Sequence, residues 1–407
     1  MRKIAVIGGG ASGIIAALRA SCEETQVDIY EKNSSLGKKI SISGNGRCNI
    51  SNIDLSEDNY FTNNKHFVNN IFKSFGYEDF ERFFEDMGVV LKKEQDGKVF
   101  PFSYSAKSLL KILEANLREK GVNIYLQKCV KDVKKCDNGF MIFTDKEKIY
   151  YDKILLCNGS LAAKHLGGTT SGYEIAKSFS HNIVFIHPSL VQLKSDQKSC
   201  SMMSGVKTNA LIKLLDETDL VTTKGDILFT KYGLSGFAIL DISYHVCKKL
   251  KEQNEVVLSV NFMQDYSRQE LFSLFKKIRD KHKDYTFIEM LGGFINLKIA
   301  KALLRELDLD SDKEISKADL KDFRKIANQL LDWRFVVKSS RGFEYAEVCA
   351  GGVDTFEVDH KTMESKLVKG LYFAGELLDV TGKRGGYNLA FAWSSGYIAG
   401  NALRRGL

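Results

Sequence analysis

The chain has 407 residues, enough for two or three domains with substantial cores, and its 44% hydrophobic and 27% charged content is that of a globular protein. The formal net charge of +8 is carried mostly by dispersed lysines. No arginine-rich block with interleaved aromatics occurs, which argues against nucleic acid as a partner and leaves a mildly basic surface able to draw in anionic ligands.

The first element is a strand over residues 3–7, a β-branched and apolar run that stops at Gly8. Gly8, Gly10 and Gly13 then form G-x-G-x-x-G, and 14–20 continue as a helix. In this pattern Gly8 permits the tight turn, Gly10 lets a pyrophosphate approach the backbone, and Gly13 lets helix and strand pack closely. The helix start would turn its free N–H groups and positive dipole end to the phosphates. A second strand over 26–30 ends at Glu31, 18 residues past Gly13. A carboxylate there can accept the ribose hydroxyls of an adenosine and would repel a 2′-phosphate. A glycine-rich turn alone explains the glycines, but not the register of strand, helix, second strand and acid.

Residues 32–49 read as a Gly/Ser/Asn-rich loop with cations, including Lys39, Ser43, Gly44, Gly46, Arg47 and Asn49, a composition suited to wrapping a polar ligand. Residues 66–88 read as helical, with Phe67, Ile71, Phe75, Phe80, Phe83 and Phe84 as a core-facing stripe. A hairpin over 89–102, a helix over 106–120 and strands over 122–126, 129–134, 140–144 and 148–151 follow. A buried strand over 153–158 stops at Gly159, where the chain can pass close to a nucleotide, and 169–176 read as a capped helix. Beyond Pro188, short alternating strands run to about 262, and 267–331 read as helical. The character of the N-terminal region returns with a buried strand over 371–374, then Gly375 and Glu376, then Gly386, Tyr387, Asn388 and Leu389 ahead of a small-residue helix over 391–402. Glu376 can hydrogen-bond a ribityl hydroxyl, and the helix start can face the pyrimidine end of a flavin ring; close Gly/Ala packing against a sheet would read the same way.

Several of these stretches resemble the bacterial FAD-dependent oxidoreductases grouped as BaiN-like or aminoacetone-oxidase-like. The matching blocks are 6–13, 37–49, 225–236, 349–353, 361–365 and 370–400, and the resemblance spans the chain. It implies an α/β fold: a two-segment Rossmann-like FAD-binding domain (1–190 and 336–407) with an inserted β-barrel-like domain (191–262) and a helical domain (263–335). It also implies FAD, with Gly8, Gly10, Ala11, Ser12 and Gly13 at the pyrophosphate and Glu31 and Lys32 at the adenosine ribose. Val130 would give a backbone contact to adenine. Lys39, Ser43, Gly44, Gly46, Arg47, Cys48 and Asn49 would approach the flavin, and Gly159, Gly375, Glu376, Gly386, Tyr387, Asn388 and Leu389 would complete the site. The chain departs from the family pattern at Lys231, where a His is usual, and at Phe237, where a Pro is usual. The stretch 381–384 is more basic than the family pattern, which favours an anionic substrate.

The expected activity is that of a FAD-dependent oxidoreductase, its flavin reduced by NAD(P)H or an organic donor and reoxidised by a small organic substrate or oxygen. NAD(P)H would bind transiently, because no second nucleotide motif occurs. An amine-type oxidase, or a flavin-bearing accessory protein with little turnover, is the alternative. The eight cysteines include no C-x-x-C pair, which excludes a zinc pattern and a disulfide-reductase mechanism and fits scattered reduced thiols. Cys48 is the thiol expected nearest the flavin, with packing as its simpler role. His165, His181 and His187 fall near segment joins and read as structural or surface groups. No catalytic group is assigned; Tyr387 and Lys231 are candidate proton donors. No metal site, membrane span or signal segment is expected, the compartment expected is the cytoplasm, and the oligomeric state is open.

Overall fold

The structure is a computed structural model that describes residues 1–215 and 221–405. The expected β-rich segment 191–262 includes 216–220, and the expected last segment 336–407 includes 406–407; those residues lie outside the described ones. The chain divides into two compact units, Met1–His187 with Val348–Leu407, and Pro188–Glu347.

The first unit is built on a five-stranded sheet of β1 (Arg2–Ile7), β2 (Thr25–Glu31), β3 (Asn123–Leu126), β4 (Lys153–Leu156) and β5 (Leu371–Phe373). All its pairings are parallel, in the order β5-β4-β1-β2-β3. Ile4–Ile7 of β1 and Ile154–Leu156 of β4 are buried without alternation, as central parallel strands covered on both faces must be. The direction of winding reverses beside β1: β2 pairs on one side of it and β4 on the other. Such a switch point opens a crevice at the carboxyl ends of the strands, here at Gly8 and Cys157.

Helix α1 (Ala11–Ala20) follows β1, α2 (Ala106–Glu119) precedes β3, and α3 (Tyr387–Arg404) follows β5. Helices α1 and α3 pack backbone to backbone. A Cβ on Gly396 would lie 2.3 Å from the Ser12 carbonyl oxygen, and one on Gly400 would lie 2.5 Å from that of Ala16. The small-residue stripe of α3 thus joins the last segment of the chain to the first.

Several expectations need correction in this unit. The helix expected over 66–88 is two helices, Lys65–Ser74 and Tyr77–Asp86, divided at Phe75 and Gly76. Extended Gly76 starts the second, and its N–H donates to Asp79. The aromatic stripe survives the break because Phe67, Ile71, Phe75, Phe80 and Phe84 all enter the core. The stretch read as a loop contains a helical turn, Lys38–Ile42, and a 3₁₀ turn, Ser43–Gly46. Helix α3 begins at Tyr387 rather than 391, directly after Gly386 in a left-handed conformation (φ +97°).

The second unit carries an antiparallel seven-stranded sheet. Its order is Trp333–Val337, Val256–Asn261, Lys207–Leu215, Val221–Thr230, Gly233–Ser235, Leu193–Lys194 and Ser339–Ser340. The first and last strands in that order are separated in the chain by Lys338 alone, so the sheet curls until its two edges meet. Four helices, Arg268–Lys281, Phe287–Gly292, Leu297–Glu306 and Leu320–Leu331, stand between Val256–Asn261 and Trp333–Val337. The run of strands expected to about 262 is interrupted by a helix, Phe237–Lys249. Its Ala238, Ile239, Ile242 and Val246 are buried at helical spacing, a period that its β-branched residues mask. Among the described residues no helix is long and apolar enough to cross a membrane.

Candidate functional site

The glycine turn after β1 is held by steric necessity. Gly8 has φ +119°, and a Cβ there would lie 2.3 Å from the Cys157 carbonyl oxygen. A Cβ on Gly13 would lie 2.0 Å from the Gly8 oxygen. Gly10 differs: it is the N-cap of α1, supplies no side-chain cap, and a Cβ on it would meet nothing within 4 Å. The start of α1, with Ala11 and Ser12 in its first turn, therefore faces open space with a backbone that an anion can approach.

Glu31, at the end of β2, is buried. Its Oε2 accepts from the Gly9 N–H at 2.8 Å and its Oε1 from the Asn33 N–H at 2.7 Å, which ties the acid to the glycine turn. Val130 is also buried and lies in the connection before strand Asp132–Cys136 rather than on a strand. The chain reaches it beside Glu31, since Lys128 N–H donates to the Glu31 carbonyl and Gln127 N–H to that of Asn33. Burial lowers the Lys32 pKa from its ordinary value, partly opposed by Cys129 and Glu31.

The two distant segments meet at an ion pair. Lys39 Nζ lies 2.6 Å from Glu376 Oε2, and the side chains are 32% and 18% exposed. Glu376 Oε1 accepts from Ser160 Oγ at 2.7 Å and from the Cys349 N–H at 3.0 Å. Ser160 follows Gly159, which has φ +76° and open space where a Cβ would be. Gly375 (φ +72°) sits against Ser12, 2.4 Å from its Oγ to a Cβ position, and donates its N–H to Ser395 Oγ. Ser160 and the Cys349 amide went unnoticed in the sequence, where only their contiguity with Gly159 and the 349–353 block pointed to them.

The segment 43–49 meets the start of α3. With its amide oriented to satisfy both ends, Asn49 donates to the Ser51 and Val99 carbonyls and accepts from the Gly386 N–H at 3.2 Å. Asn388 closes the stretch before α3, accepting from the Gly382 N–H and donating to the Gly382 carbonyl, each at 2.8 Å. Tyr387 packs edge-on to Tyr60, whose hydroxyl donates to the Tyr387 carbonyl. Leu389 packs against the core. Ser43 Oγ donates to the Ile40 carbonyl, and its own carbonyl accepts the Cys48 N–H. Gly44 and Gly46 are left-handed, and Gly46 faces open space.

Arg47 packs on the hairpin that borders this segment. Its guanidinium lies 4.8 Å from the Phe100 ring centroid and 4.7 Å from that of Tyr104, and 3.8 Å from Glu94. Cys48 is fully buried, and burial pushes its thiol up to about 11. Cys349 is pushed to about 12, first by burial and then by Glu376. Neutral buried thiols are poor nucleophiles, which agrees with packing roles. Of the other residues singled out, Lys231 is exposed in the turn before Gly233–Ser235, and Phe237 opens its helix 51% exposed, both in the second unit. His165 is exposed, whereas His181 and His187 are buried. His181 Nδ1 lies 2.9 Å from Glu357 and Nε2 lies 2.8 Å from Ser365 Oγ.

The donor set fits a dinucleotide. An uncapped helix start opens onto free space beside a buried acid, and two polar groups in the same unit lack partners among the described residues, the Tyr173 hydroxyl and one end of the Asn158 amide. Comparison with known proteins gives concordant results. The family model described as HI0933-like protein Rossmann domain matches residues 2–402. The chain is 37% identical over 408 residues to a 3-dehydro-bile acid delta(4,6)-reductase of Clostridium scindens, covering 99% of both chains. It is 29% identical over 401 residues to a ribosomal RNA dihydrouridine synthase of Escherichia coli, covering 98% of this chain and 97% of that one. In fold it is similar to a 3-ketosteroid-delta4-(5alpha)-dehydrogenase from Rhodococcus jostii, with a TM-score of 0.55, 11% identity and coverage of 100% and 97%.

Proposed function

The chain belongs to the HI0933-like Rossmann-domain family, and from that premise we propose that it is a FAD-dependent oxidoreductase reducing a carbon–carbon double bond conjugated to a carbonyl in a small organic molecule. The observation that carries the cofactor is the meeting of Gly8–Gly13, Glu31 and the Lys39–Glu376 pair in one unit, drawn from both ends of the chain. For the substrate class, support comes from the full-length similarity to a delta(4,6)-reductase. A dihydrouridine synthase, by name, also yields a product with a reduced ring double bond, so both names share one chemistry.

FAD, when bound, supplies hydride chemistry at its isoalloxazine ring. In this reading the start of α1 binds the pyrophosphate through the backbone at Gly10–Gly13. Glu31, fixed by Gly9 and Asn33, holds the adenosine ribose. Lys39, Ser160 and the Cys349 amide fix the Glu376 carboxylate, which would hydrogen-bond the ribityl chain. The start of α3, behind Gly386, would offer the flavin ring a positive dipole end able to stabilise negative charge. NAD(P)H is proposed as the reductant.

Anaerobic stopped-flow mixing of the purified protein with NADH and with NADPH tests this reading. Bleaching of the flavin band by either nucleotide, followed by its return on adding a conjugated enone, is the expected result. Reduction by an amine but by neither nucleotide would replace it with the oxidase reading. Turnover on ribosomal RNA but on no small enone would replace the substrate class.

A further inference from the structure

Tyr173 is 3% exposed, and its hydroxyl has no hydrogen-bonding partner among the described residues. A buried polar group in that condition is costly, and native structures rarely leave one without a reason. Tyr173 stands in the first turn of the helix Ser171–Ser178. That helix start is tied to the carboxyl end of β4: Asn158 Nδ2 donates to Ser171 Oγ at 3.3 Å, and a Cβ on Gly172 would meet Asn158 and Leu377 within 3.2 Å. The other end of the Asn158 amide also lacks a partner. Leu377, on which Gly172 packs, directly follows Glu376, the carboxylate that meets Lys39 and the Cys349 amide. The side chain at the start of the Tyr173 helix is that of Thr169, whose Oγ1 accepts the Ser171 N–H.

We propose that the Tyr173 hydroxyl, with the unpartnered end of the Asn158 amide at the same helix start, forms a hydrogen-bonding subsite for the flavin-side half of FAD. This rests on the FAD reading above. The adenosine end is served by Gly8–Gly13 and Glu31, which already have their geometry without Tyr173. The helix start that carries Tyr173 packs instead on Leu377, next to Glu376, on the β4–β5 side of the switch point, where the ribityl chain and ring would lie. A phenol hydroxyl can donate to and accept from a ligand at once, and an amide end can do one of the two, so the subsite suits a group with hydroxyls or a carbonyl–imide edge. Tyr173 is a positioning residue: it fixes the flavin half relative to Glu376.

The test compares wild type and Tyr173→Phe for binding of FAD and of ADP, with the absorbance spectrum of the bound flavin recorded. ADP carries the adenosine and pyrophosphate but no flavin half. The expected result is an FAD dissociation constant raised about five- to tenfold, the scale of one lost hydrogen bond, with a shifted flavin spectrum and unchanged ADP affinity. Unchanged FAD affinity and spectrum would overturn the proposal, and so would an equal loss of FAD and ADP, which marks a general structural effect. A wild-type chain that binds no FAD would overturn the underlying FAD reading instead. Should the phenylalanine variant fail to fold, Asn158→Ala decides by the same two affinities, because Asn158 is only half-buried.

Discussion

Each oxygen of the Glu31 carboxylate accepts one backbone N–H, from Gly9 and from Asn33. Glutamine has the same shape but one acceptor, so Glu31→Gln sets an NH₂ against one of those buried N–H groups. The expected loss is about 1–3 kcal/mol of stability, checked by urea unfolding of the apoprotein. His181 offers a pH test. Ser365 Oγ accepts the N–H groups of Leu367 and Val368, so its own proton goes to His181 Nε2, and the Nδ1–H donates to Glu357. That arrangement needs a neutral ring. Burial holds the His181 pKa below its ordinary 6.5, outweighing the pull of Glu357. The unfolded chain therefore binds a proton that the folded chain does not. Stability from this group is complete above about pH 6.5 and declines as pH falls below it. His181→Gln should flatten the fall by at most about 1.4 kcal/mol per pH unit, the contribution of one proton, measured by denaturant melts across that range. At this scale Glu31 was legible in the sequence because its spacing from Gly13 is local. His181 was legible only as a structural group, because its partners lie far along the chain.

At the scale of elements, the contact between α1 and α3 carries the closure of the first unit. A Cβ on Gly396 would lie 2.3 Å from the Ser12 oxygen, in the turn proposed to bind the pyrophosphate. Gly396→Val has no room, because the obstruction is backbone and cannot swing away. It should cost about 3 kcal/mol or more and lower FAD affinity together with thermal stability, read as parallel losses in melting temperature and FAD titration. The strand–glycine–helix unit at the N-terminus was legible because its signals fall within one short window. The helix Phe237–Lys249 was not, since Ile239, Ile242 and Val246 favour strands in isolation and only tertiary packing makes them helical. The break at Phe75–Gly76 was hidden for a related reason: the aromatic stripe continues across it on the same buried face.

Across the whole molecule, the fold class could be read because the N-terminal glycine motif and the glycine-rich block at 370–400 belong to a family resemblance that spans the chain. The site could be read only in part. Lys39, Ser160, Cys349 and Glu376 meet because β4 lies between β1 and β5, an adjacency that no local pattern encodes. Tyr173 is further removed, since its role follows from what its hydroxyl lacks. The proposed transfer of a hydride from FAD to a double bond conjugated to a carbonyl is tested most directly by reducing the purified FAD-loaded protein anaerobically with dithionite, removing excess reductant, and mixing it with a panel of small conjugated enones and dienones. The flavin band should return at a rate that rises with the concentration of at least one of them, with a product heavier by two hydrogens. A flavin that stays reduced with every member of the panel and reoxidises only on admitting oxygen would contradict hydride transfer to a conjugated double bond.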